Sequence, residues 1–116
     1  MNPPHIDSYR FGSITIDGET YTKDVIILPD RVIAGWWRQE GHSLQPSDLE
    51  EVLAATPATL IVGQGTFGRM RVSEQTLLVL EQAGIELIAL PSKDACKKYN
   101  QLRERGNAAA ALHLTC

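Results

Sequence analysis

The chain has 116 residues, 43% of them apolar and 22% charged, and carries a net charge of −3. That length suits one domain with its own core, and that composition excludes wholesale disorder. The acidic balance leaves no basic surplus for a phosphate backbone, so no nucleic-acid partner is expected. No apolar run reaches the roughly 18 residues that a spanning helix needs, so no membrane insertion is expected. Residues 1–7 have neither the basic start and apolar stretch of a signal peptide nor the arginine richness of a transit peptide. A cytoplasmic location follows as the expectation, with Cys96 and Cys116 as reduced thiols rather than a bridge.

The chain reads as a single domain over 1–116, with 1–7 as a loose lead-in carrying Pro3 and Pro4. Residues 9–16 are rich in aromatic and β-branched side chains and predict a strand. Their alternation slips near Gly12, which predicts a bulge there. Asp17-Gly18 is a two-residue hairpin signal, and 19–22 should return antiparallel. Val25, Ile26, Ile27 and Leu28 form an apolar strand expected to be buried on both faces. Pro29-Asp30 supplies a turn, and 32–37 predicts the next strand.

The hydrophobic rhythm then changes. Pro46 suits a first helical turn, Ser47 and Glu50 resemble a capping box, and Leu49, Val52 and Leu53 share one face. Residues 59–62 predict a strand. Ser73 should cap a helix that runs to Ala83 and stops at Gly84. Leu77, Leu78, Val79 and Leu80 predict that this helix is deeply packed. Residues 85–90 predict a strand, and Ser92 should cap a third helix with Ala95, Tyr99 and Leu102 as its inner stripe. Residues 108–114 predict a last strand of undetermined direction. Hairpins followed by alternating helices and strands imply an α/β domain: three layers, a central mixed and mostly parallel sheet, helices packed on it, and antiparallel hairpins at the N-terminus.

Two segments stand out as candidate sites. Gly63-x-Gly65-x-x-Gly68 follows a strand and precedes a helix, like a dinucleotide fingerprint. Four residues, Arg69 to Val72, separate the third glycine from the cap at Ser73, and no carboxylate ends the next strand, so no cofactor is expected. Loop amides with Arg69 and Arg71 could instead hold a carboxylate or phosphate. The second segment is Trp36-Trp37-Arg38-Gln39-Glu40-Gly41-His42. Alternation on a strand would place one tryptophan in the core and the other near the surface. An exposed tryptophan beside Arg38, with Glu40 and His42 as an ionisable pair, has the make-up of a binding hot spot. His113-x-x-Cys116 supplies two ligand types where zinc needs at least three, so no metal is expected.

Tyr9-x-Phe11-Gly12, Asp17-Gly18 with Tyr21, Asp24-Val25-Ile26-Ile27, Trp37-Arg38-x-Glu40-Gly41-His42, Gly63-x-Gly65, Tyr99-Asn100 and the run from Ala111 to Cys116 occur in that order. Together they resemble the small domain family that includes the human adipogenesis-associated domain protein and the mitochondrial respiratory complex I assembly factor 3. The resemblance implies a three-layer fold around a mixed sheet and no established catalytic activity. One branch assembles a large membrane complex by binding another protein, and that branch carries a mitochondrial targeting segment that is not seen here.

The reading that results is a non-catalytic protein-interaction or assembly module, a monomer or weak homodimer with a protein partner. Its site residues are Trp36, Trp37, Arg38, Glu40, His42, Gly63, Gly65, Gly68 and Arg69. The alternative is a binder of, or enzyme acting on, a small anionic metabolite at the glycine loop 63–68.

Overall fold

In the computed structural model, which describes residues 3–116, the aromatic and β-branched N-terminal stretch folds into a three-stranded antiparallel meander. Its strands are β1 (Ile6–Arg10), β2 (Ser13–Ile16) and β3 (Glu19–Tyr21). Between β2 and β3, Asp17 and Gly18 take φ values of 48° and 82°, the paired positive angles of a type I′ turn. Residues 9–16 are not one bulged strand. Phe11 and Gly12 form a turn, so the phase slip marks a hairpin. The Gly12 N–H donates to the Leu114 carbonyl at 2.9 Å and ties this turn to the far end of the chain.

The lead-in expected to be loose is also anchored from residue 3 onward, and residues 1 and 2 lie outside the described residues. Ile6 and Asp7 belong to β1. The Pro4 carbonyl accepts from the Tyr99 hydroxyl at 2.7 Å and from Arg103 Nε at 2.9 Å, while the Pro3 carbonyl accepts from Arg103 Nη2.

The rest of the chain builds a mixed sheet and its cover. In chain order come β4 (Val25–Leu28), β5 (Arg31–Ile33), β6 (Ser43–Leu44), α1 (Glu50–Ala55), β7 (Thr59–Gln64), β8 (Arg71–Val72), α2 (Glu74–Gln82), β9 (Glu86–Leu90), α3 (Ser92–Leu102) and β10 (Ala108–His113). The five-stranded sheet has the order β5-β4-β10-β7-β9, and β6 and β8 form a separate parallel pair. Strands β7, β9 and β10 are parallel, while β4 runs antiparallel to β10 and β5 antiparallel to β4. The last strand, whose direction the sequence left open, is central because α3 carries the chain back across the sheet.

Two cores follow from the alternation of side chains across this sheet. Val25, Ile27, Ile61, Ala108, Ala110 and Leu112 pack with Ile14 and Ile16 of the meander and with Ala95 and Tyr99 of α3. Ile26, Leu28, Leu60, Val62, Ala109 and Ala111 pack on the other face with Leu49, Val52, Leu80, Met70 and Trp36. Every residue of β4 and β10 is buried, which is why both read as uninterrupted apolar runs as far as His113.

Four local expectations are corrected. Strand 32–37 ends at Ile33, because the chain turns so that the Trp36 N–H reaches the Asp24 carbonyl at 2.8 Å. The first helical turn is held by Asp48, whose Oδ2 accepts from the Gln45 N–H at 2.8 Å, rather than by Ser47 and Glu50. Helix α2 is capped by Ser73 as expected, with Thr76 N–H donating to its hydroxyl at 3.1 Å, but the helix is not deep. Thr76 and Leu80 are its buried residues and make one narrow stripe, while Leu77 and Leu78 are 46% and 54% exposed. Ser92 opens α3 without capping it, since its hydroxyl turns back to the sheet. No helix among the described residues is long and apolar enough to cross a membrane.

Candidate functional site

The registers put Leu112 opposite Val25, Gln64 opposite His113 and Leu90 opposite Gly63. The carboxyl ends of β7, β9 and β10 therefore share one sheet edge with the amino end of β4. Open α/β sheets bind their ligands at such an edge.

At its centre lies Asp24, one residue before β4. Its Oδ1 accepts from the Leu114 N–H at 2.8 Å. Its Oδ2 lies 2.8 Å from Arg38 Nη1 and 2.8 Å from His113 Nδ1. Burial pushes the Asp24 carboxyl up, but the bonds from His113, the Leu114 N–H and Arg38 outweigh it and hold its pKa below the ordinary 3.8. Arg38 Nη2 also donates to the Gly41 carbonyl at 3.0 Å and approaches His113 Nδ1 at 3.1 Å. An arginine nitrogen can only donate, so Nδ1 cannot serve Asp24 and Arg38 at once. The shorter contact, to a carboxylate, assigns its proton toward Asp24. His113 Nε2 is then buried without a protein partner among the described residues, and so is the Arg38 Nε donor.

The two tryptophans divide as expected, one in and one out. Trp36 is buried, its Nε1 donates to the Asp48 carbonyl at 2.9 Å, and the Arg38 guanidinium lies 4.7 Å from its ring centroid. Trp37 is 76% exposed. The division arises beyond the end of β5, so strand alternation is not its cause. Arg38, expected beside Trp37 at a surface hot spot, is instead buried, because Asp24 and Gly41 draw its two terminal nitrogens inward. No hydrogen bond or ion pair joins the Glu40 and His42 side chains among the described residues. Glu40 lines an open polar cleft of about 460 Å³ with Gln39, Gln45 and Gln75, whereas the exposed His42 ring meets His113 edge to face at 6.1 Å between centroids.

The glycine loop owes its composition to close packing. Gly63 lies within β7, where a Cβ would come 2.9 Å from Ser92 Oγ and 2.9 Å from Leu112 Cδ2. Gly65 has φ +91°, and a Cβ there would come 2.8 Å from the Thr115 carbonyl and 2.9 Å from His113 Cδ2. The Ser92 hydroxyl joins the two sides, accepting from the Gly65 N–H at 2.9 Å and donating to the His113 carbonyl. The amides of Thr66, Gly68 and Met70 donate to Thr115, Gly65 and Gln64 carbonyls. The amides of Gly65, Thr66, Gly68 and Met70 are therefore engaged and are not free to cradle an anion. Arg69 is exposed and lies 5.3 Å from the centroid of the Phe67 ring.

The edge thus gathers Trp36, Trp37, Arg38, His42, Gly63, Gly65, Gly68 and Arg69, and leaves Glu40 in the neighbouring cleft. Sequence reasoning missed Asp24, His113, Ser92, Phe11 and Phe67 as members of the site. Asp24 and His113 carried a signal, since they are the ionisable residues that bound the two apolar runs of β4 and β10. Phe11 and Phe67 are 58% and 65% exposed. The Tyr9 hydroxyl bonds the Leu114 carbonyl and Thr66 Oγ1 at 3.1 Å each, so both phenylalanines flank the end of β10. Cys96 plays no part here, and burial pushes its thiol up to about 12.

The family described as "Protein of unknown function (DUF498/DUF598)" matches residues 6–113. The conserved hypothetical protein PH1505 from Pyrococcus horikoshii OT3 is 29% identical, with a TM-score of 0.82 over 96% of this chain and 98% of that one. The Rpa2829 protein from Rhodopseudomonas palustris is also 29% identical, with a TM-score of 0.75 over 93% and 81%. A Bordetella pertussis protein described as a Mth938-like domain shares the fold at 17% identity, with a TM-score of 0.67 over 96% and 85%.

Proposed function

The chain belongs to the DUF498/DUF598 family of proteins of unknown function, and from that premise we propose that it is a non-catalytic binding module that docks a protein partner on the carboxyl edge of its mixed sheet. The observation that carries this reading is the exposure of three large aromatic side chains, Phe11, Trp37 and Phe67, around the end of β10. Aromatic side chains dominate the energetics of protein interfaces, and they contribute most when seated on a rigid base. The base here is the buried network of Asp24, Arg38 and His113. In this reading the chain is a cytoplasmic monomer or weak homodimer. The sequence resemblance to an assembly factor that works by binding another protein points the same way. The reading that places a small anionic metabolite at residues 63–68 draws less support, because the Gly65, Thr66 and Gly68 amides are engaged internally.

The test is recovery of partners on the immobilised full chain, compared with Trp37→Ser and Phe67→Ser. Leu78→Ser is the control, since Leu78 is also exposed but lies on α2. Specific recovery should be lost with the first two variants and kept with the third. Recovery that is indifferent to both aromatic substitutions would sink the proposal.

A further inference from the structure

Charge is sorted in this molecule, and the sorting falls on the same edge. Hydrogen bonds collect seven stretches there: 9–12, 23–24, 36–42, 45–48, 64–71, 91–93 and 113–116. These stretches hold six of the eleven Lys and Arg residues and three of the fourteen Asp and Glu, of which Asp48 is buried. Arg38 is spent on Asp24. The other five cations, Arg10, Lys23, Arg69, Arg71 and Lys93, are all exposed, and Glu40 is the one exposed carboxylate among them. The rest of the chain is correspondingly acidic, so a protein of net charge −3 presents one basic edge. Phe11, Trp37 and Phe67 stand within that basic edge.

We infer that the edge recognises an acidic segment of a partner protein, one that carries apolar side chains between its carboxylates. The inference rests on the binding-module reading and names the partner's chemistry. Surface charges act over a Debye length of about 10 Å at 0.1 M salt, so the basic edge attracts carboxylates although the whole molecule repels them. The aromatic rings then require apolar partners, which a purely acidic run lacks. A nucleic-acid strand fits less well, because its phosphates continue past the edge and meet the acidic remainder. A short peptide segment can end where the basic edge ends.

The experiment is selection of random peptides of about twelve residues by display on the folded full chain. Enriched peptides should combine Asp and Glu with Leu or Phe, and a synthesised winner should shift the emission of Trp37. Its affinity should fall about tenfold or more with Arg69→Glu/Arg71→Glu, and likewise with Lys23→Glu/Lys93→Glu, in proteins whose circular dichroism is unchanged. Enriched peptides without acidic excess that still depend on Trp37 would overturn the inference and leave the docking edge standing. Binding untouched by Trp37→Ser and by both charge reversals would overturn both. Failure to enrich any peptide overturns the inference, as does displacement of the winner by oligouridylate or by vesicles rich in phosphatidylserine at equal charge.

Discussion

Three donors converge on the Asp24 carboxylate from two parts of the chain: Arg38 beyond β5, and His113 with the neighbouring Leu114 N–H at the end of β10. The carboxylate is largely buried, with 16% of its side chain exposed, so its charge is compensated by these donors more than by water. Asp24→Asn keeps the shape but replaces one acceptor with a donor that faces Arg38 and His113. Removing one partner of such a network should cost about 3 kcal/mol at neutral pH. The folded pKa of Asp24 lies below the unfolded value near 3.8, so its contribution is present above that value and is lost as pH falls through the folded pKa. The difference between wild type and Asp24→Asn in urea unfolding should therefore shrink as pH falls below about 4. An equal difference at about pH 7 and about pH 3 would show that the carboxylate's charge is not what the donors hold.

At the scale of elements, α3 acts as a clamp as well as a cover. Its Tyr99 lies in the first core with its hydroxyl on the Pro4 carbonyl, and Asn100 brackets Ile6 through both its backbone groups. Tyr99→Phe leaves the Pro4 carbonyl to Arg103 alone and should cost about 1 kcal/mol. Burial raises the Tyr99 pKa from 10.0 to about 12, so the stability tied to its protonated form is complete below pH 10 and lost as pH rises toward 12. Unfolding curves of Tyr99→Phe should therefore fall less steeply with pH than wild type between those limits, and parallel curves would refute the assignment. The elements that were legible in the sequence were those with local causes, such as the Asp17-Gly18 turn and the Ser73 cap. Ser92 was misread because its hydroxyl has a better partner across the sheet, at His113, than at its own helix. The site was legible only where composition marked it. Trp36 and Trp37 are conspicuous in any sequence, but Asp24 and His113 stand 89 residues apart and meet through the pairing of β4 with β10.

For the whole molecule, the two cores share one sheet and cannot be taken apart independently. In β10, Ala108 and Ala110 face one core while Ala109 and Ala111 face the other, and the same backbone bonds to β4 and β7 hold both. Loss of either layer would bare one face of strands that have almost no polar side chain to present to water. The domain should accordingly unfold in a single cooperative transition. The tryptophans offer a clean probe, because Trp36 is buried in the second core while Trp37 is exposed. In Trp37→Ser, Trp36 alone reports that core, and far-ultraviolet circular dichroism reports the sheet with α3. The two signals should give one midpoint in urea. Leu49→Ala, which empties a site in the second core, should lower stability by about 3 kcal/mol and move both signals together. If the Trp36 transition moved while the dichroism stayed, the central strand would not be coupling the layers, and the rigid base assumed for the aromatic edge would rest on only one of them.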